Sequence, residues 1–251
     1  MFGLVVLASA CARTGPPPGG PADTTAPELL SAAPESAAVG VDPGATLELI
    51  FSEKVDPNTV ERALWITPAP GKLKVDVSGD RVSVRPEDGF PPDATIGILV
   101  TTALKDRMRE RPQTRMEAAR RWTFATADSL DAGSVSGTVS RKGQRPESGQ
   151  LLVALYPGDA DTLPDPRETD PIAVTEADAS DRFVLEGLPT DGKRRWLIAL
   201  FDRDENRIIG GPGEFASALP ETLVLTSRVQ SRNVSLELID PAAPGRSCPG
   251  S

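Results

Sequence analysis

The chain has 251 residues with a formal net charge of -9, 39% hydrophobic and 25% charged residues, and no histidine. That length admits one large domain or two modest ones, and the apolar share is enough for folded cores. The acidic balance argues against nucleic-acid binding, which needs a cationic face, and the absent histidine excludes Ser-His-Asp and Cys-His catalysis and the commonest metal ligand, leaving carboxylate-only chemistry open. Aromatics are only 4%, so Val, Leu, Ile and Ala must build the cores. The 25 prolines and 22 glycines interrupt long helices and favour short strands joined by turns.

Met1 to Ala10 is a short apolar run that closes with Ala8-Ser9-Ala10 before Cys11. It is too short to span a bilayer, which takes ~20 apolar residues. The run resembles the end of a bacterial lipoprotein signal peptide, although Ala8 stands where Leu is commoner and no Lys or Arg precedes it. The resemblance implies export, removal of 1–10, and a membrane anchor through lipid on Cys11, with the outer membrane or cell surface as the expected place. Residues 11–26 follow as a Pro/Gly-rich tether, too polar and irregular to pack. The other cysteine, Cys248, lies in a tail spanning 241–251. It is unpaired if Cys11 carries lipid, and a Cys11–Cys248 disulfide is the alternative.

Residues 27–127 show period-2 patterning. Leu47, Leu49 and Phe51 alternate with Thr46, Glu48 and Ile50, and Leu73, Val75 and Val77 alternate with Lys72, Lys74 and Asp76. Val82 with Val84, Ile96 with Ile98 and Val100, and Trp122 with Phe124 continue the rhythm. Such alternation puts one face in a core and the other in water. Asp42-Pro43-Gly44, Pro68 to Gly71, Ser78-Gly79-Asp80 and Pro86 to Pro92 supply the turns. Asp56 reads as a helix N-cap with Pro57 at the first position, for one helical turn. About seven short strands over a hundred residues predict an Ig-like sandwich. The stretches Asp23 to Pro27, Phe51-Ser52-Glu53-Lys54-Val55-Asp56-Pro57-Asn58-Thr59, Ile66-Thr67-Pro68 and Trp122 to Thr126 resemble the bacterial Ig-like domain of the S-layer (SbsA-like) type. Where such domains carry a "D-x-x-G-N" turn, this chain has the longer, basic Asp106 to Pro112.

A small-residue linker over 128–133 precedes a second set of strands in 134–240. Val135, Gly137 and Val139, then Leu151, Val153 and Leu155, then Phe183 and Leu185, then Trp196, Ile198 and Leu200, and last Val234, Leu236 and Leu238 alternate, with a turn at Gly187 to Gly192. The order of these motifs resembles the transthyretin-like sandwich, also called carboxypeptidase regulatory-like, which implies an accessory module. The predicted fold class is all-β: two consecutive β-sandwich domains, Ig-like then transthyretin-like, with a flexible join near 129–134.

Asp202, Asp204 and Asn206 alternate as calcium ligands do in loop sites. The glycine that usually follows the third ligand is Arg207 here, and position twelve is Gly213, with Glu214 one place late. The run is read as a polar turn leaving its strand, with a calcium site as the alternative. Residues 105–121 hold seven bases against three acids, and 159–181 hold eight acids against Arg167. Both are read as solvated loops, the second as mobile. As contact surfaces for a partner they would act through Arg107, Arg109 and Arg111, and through Asp161, Asp165 and Asp170. Trp65, Trp122 and Trp196 could stack on sugar, but each has apolar strand neighbours and at least two are expected in cores.

The function expected from these features is a non-catalytic envelope lipoprotein acting as a structural or protein-interaction module, with no required cofactor. The alternative is a carbohydrate- or peptidoglycan-binding accessory. The envelope protein or glycan it would meet is not identified by the residues.

Overall fold

The computed structural model describes residues 24–107, 113–141, 148–158, 163–207, 214–218, 222–229 and 231–238. In the first half the strands are β1 (Leu29–Ala33), β2 (Leu47–Phe51), β3 (Leu64–Thr67), β4 (Leu73–Ser78), β5 (Arg81–Pro86), β6 (Thr95–Val100) and β7 (Arg120–Ala125), with one helix, α1 (Pro57–Ala63), between β2 and β3. The helix starts where its cap predicts: the Asp56 carboxylate accepts from the Asn58 backbone N–H at 3.1 Å, and Pro57 sits in the first turn. It runs further than one turn because Val60 and Ala63 are buried against the sheets.

A four-stranded sheet, β1-β2-β5-β4, faces a three-stranded sheet, β3-β6-β7. Between them lie Leu47, Leu49, Phe51, Val82, Val84, Ile96, Ile98 and Phe124, with the half-buried Trp122 against the edge. Phe90 closes one end by packing edge-on to Phe124, ring centroids 5.2 Å apart. The alternation read from the sequence holds here because β2 and β5 have their other face in water.

The second half contains β8 (Gly133–Arg141), β9 (Gln150–Pro157), β10 (Ala173–Glu176), β11 (Arg182–Leu188), β12 (Asp191–Asp202), β13 (Phe215–Ala218), β14 (Leu223–Thr226) and β15 (Ser231–Leu238). One sheet is β10-β9-β12-β13, with β14 also on β12; the other is β11-β8-β15, in which β15 runs parallel to β8. Val135, Leu151, Val153, Phe183, Leu185, Leu197, Ala199, Phe201 and Leu236 fill the space between.

Three expectations are corrected. Trp196, Ile198 and Leu200 do not enter this second core; Leu197, Ala199 and Phe201 do, and the former three face the other way. The strand is apolar on both faces, so its period could not say which face was inward. The acidic segment 159–181 is not one solvated loop, because Ala173–Glu176 forms a strand on β9 with Ala173 and Val174 buried. The join near 129–134 is not free either: the Asp131 N–H donates to Thr95 Oγ1 at 2.8 Å, and the two sandwiches pack on each other.

Candidate functional site

Leu99 on β6 points away from the first core, because its neighbours Ile98 and Val100 point in. It meets Leu152, Ala154 and Tyr156 of β9, Val174 of β10, and Ile198 and Leu200 of β12, with Trp65 and Trp196 at the margins. The outer face of the three-stranded sheet of the first sandwich thus lies on the outer face of the large sheet of the second. This seam is a third apolar layer, and the molecule stacks four sheets. Gly187 sits against it with φ +69, and an added Cβ would come within 2.9 Å of Thr123 and 3.0 Å of Thr95. Only glycine gives both that backbone form and that close approach.

Polar bridges ring the apolar patch. Thr102 donates twice to Glu176, from its N–H to Oε2 at 2.8 Å and from its hydroxyl to Oε1 at 2.5 Å. The Arg121 guanidinium donates to the carbonyls of Val174 at 3.1 Å and Glu186 at 2.9 Å. Burial pushes its pKa down to about 10, still charged at neutral pH. Gly97 leaves the space it occupies, since a Cβ there would stand 3.1 Å from the Arg121 guanidinium. Arg115 reaches Glu205 at 2.5 Å. Arg207 lies over the Trp65 ring, 4.0 Å from its centroid, and donates to the carbonyls of Glu61 at 3.1 Å and Leu64 at 3.2 Å. Desolvation lowers the Arg207 pKa, against the pull of Asp170, Asp202 and Glu61.

Two clefts flank the seam. One of about 360 Å³ is lined by Trp65, Tyr156, Asp170, Asn206 and Arg207 among others. The other, of about 750 Å³, has Thr102, Arg115, Glu176 and Asp178 on its walls. Burial, then the charges of Asp170 and Asp165, holds the Tyr156 hydroxyl above its ordinary value, so it stays protonated.

A densely charged loop leaves β12 at the seam. Its first residue, Asp202, is fully buried and Glu214 nearly so, and carboxylate oxygens of Asp202, Asp204 and Glu214 lie within 4.8 Å of one another. Asp202 accepts from the backbone N–H groups of Asn206 at 3.3 Å and Arg207 at 2.9 Å. Burial still raises its pKa, and the Glu214 charge adds to the rise. The Asn206 side chain donates to Asp204 at 2.8 Å. Glu205 and Arg207, the two residues that cross to the first sandwich, have φ of 59 and 68. Arg207 therefore takes the left-handed backbone that glycine takes in loop sites, and its side chain crosses to the first sandwich.

Of the residues expected at contact surfaces, Cys11, Arg109, Arg111 and Asp161 lie outside the described residues. Arg107 lines a shallow pocket with Glu53, Lys54 and Asp80. Asp165 is bound by Arg167, whose hydrogen bonds bring its pKa down to about 2. Asp170 lines the smaller cleft. The structure brings Asp202, Asp204 and Asn206 together and adds Glu214. Sequence reasoning missed Glu176, Arg121, Glu205 and Arg207 as seam residues. The signal available is charge complementarity between 105–121 and 159–207, which fits the expected solvated loops equally well and is in part satisfied within the chain.

Residues 23–126 match the family model of the bacterial Ig-like domain, less than half of the chain, which speaks for the first sandwich. A comparison with curated proteins gives no match. Among solved structures, an L,D-transpeptidase from Mycobacterium smegmatis is 16% identical over 61% of this chain and 77% of its own, with a TM-score of 0.29. The N-terminal part of the bacterial S-layer protein SbsC is 16% identical over 81% of this chain and 45% of its own, with a TM-score of 0.28. The major pilin subunit BcpA of Bacillus cereus is 9% identical over 84% and 70%, with a TM-score of 0.26. At these identities and scores the likenesses carry no argument about activity or whole-chain architecture.

Proposed function

We propose that this chain is a non-catalytic bacterial envelope lipoprotein, exported and held by lipid on Cys11, whose two sandwiches act as one rigid spacer offering loops to a protein partner. The seam carries the reading. An accessory module on a free linker has no reason to bury Leu99, Leu152, Ile198 and Leu200 against its neighbour, whereas a spacer that must hold an angle has. The Ig-like match over 23–126 and the resemblance of the second half to transthyretin-like accessory modules support it. The buried Asp202 and Glu214 do not open to a substrate, which favours a non-catalytic role. Glycan binding would need an exposed aromatic face. The exposed large apolar residues among those described are Leu30, Val39, Val184 and Val229, none aromatic, and Arg207 covers the Trp65 ring.

Two measurements test the proposal. Palmitate labelling should mark the wild type and not Cys11→Ser, and equal labelling would refute the anchor. X-ray scattering of the full chain should fit one particle with the sandwiches packed; a broad spread of separations would refute the rigid spacer.

A further inference from the structure

Gln150, Asp202 and Glu214 form a row across neighbouring strands. Asp202 is paired with Gln150 between β12 and β9. Glu214 directly precedes Phe215, which is paired with Phe201 between β13 and β12. Directly opposed residues send their side chains to the same face with Cβ atoms ~4.5–5.5 Å apart. Gln150 is 0% exposed, and both its Nε2 and its Oε1 lack a hydrogen-bond partner. A buried amide with neither function used is costly, and this one lies on the face that carries the Asp202 carboxylate. Asp204 turns back from the loop to complete the group, its carboxylate within 4.8 Å of those of Asp202 and Glu214.

We propose that this group binds one calcium ion and that the ion fixes the 202–207 loop in the form that latches the two sandwiches. The donors are three carboxylates and the Gln150 amide oxygen, all hard oxygen ligands; the chain has no histidine, and no thiol lies among the described residues to favour zinc or copper. An irregular oxygen set, buried at Gln150, Asp202 and Glu214 and open at Asp204, suits calcium. Magnesium demands a near-ideal octahedron, to which ligands fixed by strand pairing at Gln150, Asp202 and Glu214 adapt poorly. The coupling follows from the loop itself. Glu205 and Arg207 carry the Arg115 bridge, the Trp65 contact and the bonds to Glu61 and Leu64, and they stand between Asp202 and Glu214 in the chain. An ion bound only by the ordered loop stabilises that loop by mass action, and by reciprocity the docked seam strengthens ion binding. The inference builds on the rigid-spacer reading.

The full chain, stripped of metal with chelator, is titrated separately with calcium chloride and magnesium chloride by calorimetry. One calcium should bind per chain, with magnesium weaker. An excess of about 100-fold over the dissociation constant should raise the melting temperature by roughly 5–10 °C. Asp204→Asn changes an exposed residue that should not impair folding, and it should weaken calcium binding about tenfold or more. Hydrogen exchange in 61–66 should slow when calcium is added to the wild type and not to Arg207→Gly. Absence of binding, or equal affinity in Asp204→Asn, overturns the site. Binding with unchanged exchange in 61–66, or calcium-dependent protection kept in Arg207→Gly, overturns the latch. Scattering separates this from the spacer reading. Sandwiches that stay apart with and without calcium refute the spacer and the latch together. A failed titration with the sandwiches still packed refutes only the ion site.

Discussion

Strands β2 and β12 are built from the same kinds of residue and are used differently. In β2, Leu47, Leu49 and Phe51 are buried, Glu48 faces water and Ile50 is half covered. In β12, Leu197, Ala199 and Phe201 enter the second core while Ile198 and Leu200 enter the seam. The difference is what lies across each face: solvent for the outer sheet of the first sandwich, another sheet for both faces of β12. Apolar residues on a strand's second face are therefore a mark of a further partner layer, here supplied by the same chain.

The strongest way to sharpen this contrast is to empty the core that has no second layer. Phe51→Ala should cost about 3–5 kcal/mol, the range for truncating a buried aromatic. Urea unfolding reads it, and a loss below about 1 kcal/mol would mean that β2 is not central to the first core.

The first sandwich was largely legible in the sequence. Leu47, Leu49, Phe51, Val82 and Val84 announce an inward face because their neighbours are polar, and Asp56-Pro57 announces the helix start. The second was legible in its strands but not in its orientation. Gln150 to Tyr156 and Trp196 to Phe201 are nearly continuous apolar runs, and a run without alternation has no inward side to read. The seam was illegible for a related reason. Arg121, Glu176, Glu205 and Arg207 find their partners 53 to 146 residues away in the chain. No local pattern marks such pairing, so acids and bases facing one another across a fold look the same as solvated loops. The cation cluster was half legible: the alternation of Asp202, Asp204 and Asn206 was visible, whereas Glu214 and Gln150 join only through strand pairing.

A smaller effect is expected at the polar rim of the seam. Arg121→Met keeps much of the side-chain volume but removes both donors, leaving the carbonyls of Val174 and Glu186 without them. The loss should be about 1–3 kcal/mol, the cost of leaving the carbonyl of the buried Val174 short of a donor, with little added by the exposed bond to Glu186. It should appear in exchange of the segments around 174 and 186 before any change in the first core. A loss shared evenly by both sandwiches would mean that the seam and the cores unfold as one unit.

The smallest effect tests whether the charges across the seam matter beyond its apolar patch. Arg115 is 38% exposed and Glu205 12%, at an N–O separation of 2.5 Å. Half-solvated pairs of this kind lose much of their attraction to water and salt, so a cycle of Arg115→Ala, Glu205→Ala and the double variant should give a coupling below about 1 kcal/mol. Raising the ionic strength should shrink it further, because the screening length falls from about 10 Å at 0.1 M to about 3 Å at 1 M. The apolar cluster that holds Leu99, Leu152 and Leu200 is insensitive to salt in this range of effect, so the sandwiches should remain packed in the double variant. If the double variant separates them, the bridge and not the apolar layer holds the angle. The seam would then resemble a charged interface between independent modules more than a shared core.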